Sequence, residues 1–165
     1  MPFPRDSLLP AGTPDELFTA GVPTMGPKYN RRQALEVVVH PTGSAVVCFG
    51  TQPFDDDIGV ELATGHVVWM FSRRQQSDMP HLAAIPPGFV NSDVGSFTSS
   101  VRAATSRFPY YSRNAELQER IAVADQLGGE LRRIDAASMD ADLFWSTFID
   151  DLINGDFATE DVLGS

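Results

Sequence analysis

Ser44-Ala45-Val46-Val47-Cys48-Phe49-Gly50 is the stretch on which the fold turns, because apolar side chains fill its odd and even positions alike. Successive residues of a strand point to opposite faces of a sheet, so a strand that is apolar at both parities is covered on both sides and belongs near the centre. Three more segments rich in β-branched and aromatic residues lie around it, at 35–39, 58–62 and 66–71. Pro41-Thr42-Gly43 supplies a tight turn between the first two segments, and Thr64-Gly65 a short hairpin between the last two, with glycine free to take a positive φ. Connections this short impose antiparallel pairing, so the four segments read as a meander. Ile58, Val60 and Leu62 alternate with Gly59 and Glu61, the pattern of a half-exposed strand.

Helical signals flank this β region. Upstream, Thr13-Pro14-Asp15-Glu16 has the form of a capping box with proline at the first helical position, Leu17 and Phe18 supply apolar contact, and Gly21-Val22-Pro23 ends the turn. Downstream of a polar loop at 73–80, Ser92 is the expected N-cap of a helix whose dipole Asp93 complements. Val94, Phe97, Val101, Ala104 and Phe108 recur at intervals of three and four and share the face that covers the sheet. A second helix is expected from 114 to about 127, stopped by Gly128-Gly129, while 131–134 reads equally well as a short strand or a helical turn. A last helix is expected with Asp140 as cap, Trp145, Phe148, Ile149 and Leu152 as the buried stripe, and Gly155 as terminator. The class is therefore α+β: a mainly antiparallel sheet of about four to six strands with helices packed on it, in one domain over residues 1–165.

The 165 residues carry 12 Lys+Arg against 22 Asp+Glu, a formal net charge of −10 that disfavours a broad basic surface for nucleic acid or anionic lipid. Beyond Arg133 there is no Lys or Arg, while Asp135, Asp140, Asp142, Asp150, Asp151, Asp156, Glu160 and Asp161 follow, so the excess acidity is C-terminal. Asp140 and Asp142 suit a helix start, which leaves Asp150, Asp151 and Asp156 as the acids free to meet a partner. Met1-Pro2-Phe3-Pro4-Arg5-Asp6 lacks the basic stretch and apolar run of a secretory signal, and no segment reaches the ~18 apolar residues of a membrane span; a cytoplasmic location is expected. The lone Cys48, set in an apolar run, fits a buried inert thiol in a reducing compartment.

Chemistry-bearing motifs are sparse. His40, His66 and His81 stand in no metal-ligand spacing, His40 and His66 read as exposed turn residues, and no nucleophile elbow, Walker loop or GxGxxG is present, so neither a metal nor a cofactor is expected. Asp55-Asp56-Asp57 invites a metal or acid–base reading, but consecutive side chains diverge and the DxDxDG pattern is missing; a solvated or partner-facing loop accounts for the run. Arg31-Arg32 and Arg73-Arg74 read as solvated pairs, and Trp69 and Trp145 as core residues before partner anchors.

Leu17-Phe18 followed by Gly21-Val22-Pro23, then Cys48-Phe49-Gly50, Thr64-Gly65-His66-Val67, Phe89-Val90-Asn91-Ser92 ahead of Phe97, and Phe144-Trp145 followed by Asn154-Gly155-Asp156-Phe157, occur in an order that resembles the SUKH superfamily of bacterial immunity proteins, within it the fourth subfamily. The resemblance implies helices on a mainly antiparallel sheet. It also implies a non-enzymatic protein that binds and neutralises a cognate toxin domain, many such toxins being nucleic-acid deaminases or nucleases, and it transfers no catalytic or contact residue. On this reading Asp55, Asp56, Asp57, Asp150, Asp151 and Asp156 are the candidate partner-binding residues, facing a basic cleft. An intracellular interaction or regulatory module without a toxin, and a metal-dependent hydrolase built on the aspartate run, stay open as alternatives.

Overall fold

In the computed structural model, which describes residues 2–4, 9–26, 28–52, 56–140 and 143–158, six strands sit in the sheet in the order in which they occur in the chain. They are β1 (Met25–Gly26), β2 (Tyr29–Val39), β3 (Ala45–Thr51), β4 (Asp57–Glu61), β5 (Val67–Met70) and β6 (Gly88–Asn91), every neighbouring pair antiparallel. This is the expected meander, extended by one short strand at each edge. Gly43 and Gly65 take φ of 99° and 77° in the two tight turns, as hairpin geometry requires.

β3 is central and Val46 through Gly50 are buried, as its double apolar parity demands. β4 departs from the half-exposed pattern, since Asp57 through Val60 are all buried. Gly59 explains why: a Cβ there would lie 2.5 Å from the Val47 carbonyl oxygen and 2.6 Å from Val46 Cγ1, so β3 closes that face itself.

One face of the sheet carries the main core. Val47, Phe49, Ile58, Val60, Val67 and Val90 meet the apolar sides of α1 (Glu16–Thr19), α3 (Val94–Ser106), α4 (Leu117–Ile134) and α5 (Phe144–Asn154). Tyr29, Phe49 and Phe97 form an aromatic cluster, with Phe97 5.2 and 5.4 Å from the other two rings. The opposite face holds the smaller cluster of Val38, Val46, Cys48, Val68 and Met70. Beside it lies α2 (Arg73–Asp78), whose Arg73 charge acts on Cys48 and Asp57. Burial pushes the Cys48 thiol up to about 12, so it stays protonated and unreactive.

Several helix boundaries differ from the sequence expectation, each for a local reason. Thr13 does not cap α1; its hydroxyl donates to the Pro10 carbonyl at 2.9 Å, and Asp15 stands at the N-cap without a side-chain capping hydrogen bond to the helix. The loop expected at 73–80 contains α2, closed by a capping box between Ser72 and Gln75. At α3 the cap is Asp93, which accepts from Ser96 N–H at 2.7 Å, because Ser92 is drawn instead to Asp135. The α4 helix runs straight through Gly128-Gly129 to Ile134, which makes 131–134 helical. Two glycines in a helix cost about 1 kcal/mol each. Burial of Leu127 and Leu131 outweighs this, and Gly128 sits close to Ile149 and Met139. Asp140 follows the 3-10 turn Ala136–Met139 and does not cap α5, which begins at Phe144; Asp142 lies outside the described residues. Gly155 ends α5 as expected, left-handed at φ 101°.

Candidate partner-binding surface

The acidic helix α5 is fixed to the sheet by a buried polar network. Trp145 donates its indole N–H to Asn91 Oδ1 at 2.8 Å, and Asn91 Nδ2 donates to Asp135 Oδ2 at 3.0 Å. Ser92 adds its backbone N–H at 2.7 Å and its hydroxyl at 3.0 Å to the same carboxylate. Burial raises the Asp135 pKa, but these donors outweigh it and hold the carboxyl below its ordinary value. Farther along, the Tyr111 hydroxyl donates to the Leu152 carbonyl at 2.7 Å. The Trp145 and Leu152 hydrogen bonds tie α5 to β6 and to the segment between α3 and α4, and the Asp135 carboxylate fixes the Asn91 side chain that receives the indole, so the outer face of α5 is presented rigidly.

That face and its margin hold three of the six candidate acids. Asp150 and Asp156 are exposed, and the Asp156 N–H bonds the Asp151 carbonyl at 3.1 Å across the Gly155 turn. Asp151 is half-buried and forms an ion pair with Lys28, the residue between β1 and β2 that takes a positive φ of 55°. Lys28 in turn lines a cleft of about 160 Å³ shared with Gln52, Asp56, Trp69, Leu143, Phe144 and Thr147. Asp56 is thus brought to the same region as Asp151, with Lys28 common to both.

Asp57 is not part of this group. The loop reading of that carboxylate is corrected: Asp57 opens β4 with 3% exposure and forms an ion pair with Arg32, which also holds Glu36 at 2.5 Å. Burial pushes the Asp57 carboxyl up, and the Arg32 guanidinium counteracts it. Alternation along β4 places Asp57 opposite Ile58, on the Cys48 side of the sheet. Asp55 lies outside the described residues.

Arg73 and Arg74 are exposed, as a solvated pair requires, whereas Arg31, Arg32, His40 and His66 are less exposed than the sequence suggests. Arg31 stacks over the Phe3 ring at 3.8 Å and donates to the Pro2 carbonyl, and Arg32 is held by Asp57 and Glu36. His40 is buried at the hairpin, its Nδ1 2.8 Å from the Thr42 hydroxyl and accepting from Thr42 N–H, while His66 is half-buried, edge-on to Phe89. Trp145 is fully buried, but Trp69 keeps part of its surface in the cleft. Met79 and Ile85, on the segment between β5 and β6, are 43% and 41% exposed.

The network was missed in the sequence, although a tryptophan on an apolar stripe needs an acceptor for its N–H, and Asn91 is a polar residue placed directly after Phe89-Val90. Among the described residues no group of three or more His, Cys, Asp or Glu is placed to hold a metal ion, and no helix is long and apolar enough to cross a membrane.

No curated protein and no solved structure is significantly similar to the chain. A family model described as SUKH-4 immunity protein matches residues 5–151, all but the two ends of the sequence. With the antiparallel meander, the helices on one face and the anchored acidic helix in place, the chain belongs to the SUKH-4 immunity protein family.

Proposed function

We propose that the protein acts in the cytoplasm by binding a cognate toxin domain and occluding its active site, with no catalysis of its own. Membership of an immunity protein family carries this reading. The charge distribution gives it a direction: Asp150 and Asp156 are exposed on and beside a rigid helix, Asp56 and Asp151 border the neighbouring cleft, and Asp55 adjoins Asp56 in sequence. A toxin that acts on nucleic acid, a deaminase or a nuclease, needs a basic cleft, and an acidic surface attracts and orients it during encounter. Asp57, engaged with Arg32, serves the sheet rather than the partner.

Co-expression with the toxin domain encoded by the adjacent reading frame tests this. The expected result is survival of cells that otherwise die, together with co-purification of the two chains. Death despite expression of the folded protein, with no co-purification, would contradict the proposal and favour an interaction module unconnected with toxins.

A further inference from the structure

We infer that the cleft between Lys28, Trp69 and Phe144 receives one arginine side chain of the partner, stacked on the aromatic wall and hydrogen-bonded by Asp56 and Gln52. This rests on the binding function proposed above and names the chemistry that the surface recognises.

The walls are of two kinds. Trp69 and Phe144 supply aromatic surface, and the polar lining offers acceptors in the Asp56 carboxylate, the Gln52 side-chain amide and the Thr147 hydroxyl. Thr147 donates its own hydrogen to the Leu143 carbonyl at 3.0 Å, so what its oxygen offers an incoming group is lone pairs. Among the described residues of the lining Lys28 is the one cation, and its ammonium is drawn into the ion pair with Asp151. The formal charges of Asp56, Asp151 and Lys28 sum to −1. Trp69 is also held in place: its ring packs edge-on against Phe71 at 5.3 Å, and it lies so close to Gly88 that a Cβ there would overlap the indole.

Size and chemistry select the occupant. A cavity of about 150 Å³ holds one benzene-sized group, and the cleft of about 160 Å³ is in that class. A guanidinium with its adjoining methylenes is planar, weakly hydrated and stacks on aromatic faces while its N–H fork meets a carboxylate. Lysine is a compact, strongly hydrated point charge that uses the aromatic wall less well. An apolar side chain would desolvate Asp56 and Gln52 and give them nothing in return.

The two tryptophans provide separate reporters, because Trp145 is fully buried and Trp69 lines the cleft. The full ¹⁵N-labelled chain is titrated with N-acetyl-argininamide, N-acetyl-lysinamide and N-acetyl-leucinamide while both indole N–H resonances are followed, assigned with Trp69→Phe. Arginine is expected to shift the Trp69 resonance saturably, with a Kd of about 10 mM or tighter, and to leave Trp145 in place. Lysine is expected to bind about fivefold more weakly and leucine to have no effect. Asp56→Asn should weaken the arginine response about tenfold, and Thr147→Val, at an exposed helix position, about twofold. No saturable Trp69 shift, or equal shifts with all three probes, overturns the inference. The same chain offered to the neighbouring toxin domain separates the two claims: a selective arginine response without a toxin complex keeps the cleft and removes the immunity reading. A complex without that response does the reverse.

Discussion

The Trp145 indole donates a 2.8 Å hydrogen bond to the Asn91 side chain, joining the middle of the main core to the last strand of the sheet. Both residues are fully buried, and Asn91 also donates to Asp135. Asn91→Leu is therefore expected to leave the indole N–H unmatched and to take one donor from an Asp135 carboxylate that keeps both Ser92 donors, at about 1–3 kcal/mol of stability in urea unfolding. Trp145→Phe should cost about 1–3 kcal/mol. A loss below about 0.5 kcal/mol for Asn91→Leu would show that the network does not hold α5.

Arg32 and Asp57 provide a second stability test on the other face of the sheet. Asp57→Ala removes the counter-charge of a guanidinium that is 27% exposed and still near Glu36, so the expected loss is about 1–3 kcal/mol, less than for a fully enclosed pair. Replacing both residues, Arg32→Met with Asp57→Leu, should recover most of it, since two apolar side chains require no pairing. Additive losses in the double-mutant cycle would contradict a direct interaction.

The pH dependence has a defined sign. Burial lowers the His40 pKa from 6.5, and its Nδ1 accepts from Thr42 N–H, a role that protonation abolishes. A folded-state pKa below the unfolded one gives stability that is complete above about pH 6.5 and is lost as the pH falls through the lowered value. Asp135, held below 3.8, adds a loss of the same sign that begins only near that pH. Asp57, raised by burial, binds its proton earlier in the folded state and opposes the acid loss. Urea midpoints of the wild type should thus decline as the pH falls below about 6.5, and His40→Gln should flatten that decline. An unchanged slope in the variant would assign the decline elsewhere.

The sheet was legible because its signals are local: double apolar parity marked β3 as central, and glycines in short turns marked the hairpins. Helix ends were less legible because they depend on distant partners. Ser92 is an adequate cap by type, but Asp135, 43 residues away, holds it, and Gly128-Gly129 ends a helix only where no neighbouring helix packs against it. The candidate acids show the same division. Exposure of Asp150 followed from the period of an apolar stripe, whereas Asp151, next to it on the helix, is half-buried against Lys28. The burial of Asp57 followed from Arg32, whose place across the sheet is set by the β2–β3–β4 register.

The central claim is that the anchored acidic face of this immunity protein captures its toxin, and the association rate constant of the two purified chains, measured over a series of salt concentrations, tests it most directly. Asp150→Lys with Asp156→Lys is predicted to slow association about tenfold at low salt and to reduce its salt dependence, while the fold stays intact because both residues are exposed. Unchanged rates and salt dependence in that variant would contradict the claim. Loss of binding in Met79→Ser with Ile85→Ser would then place the contact on the segment between β5 and β6.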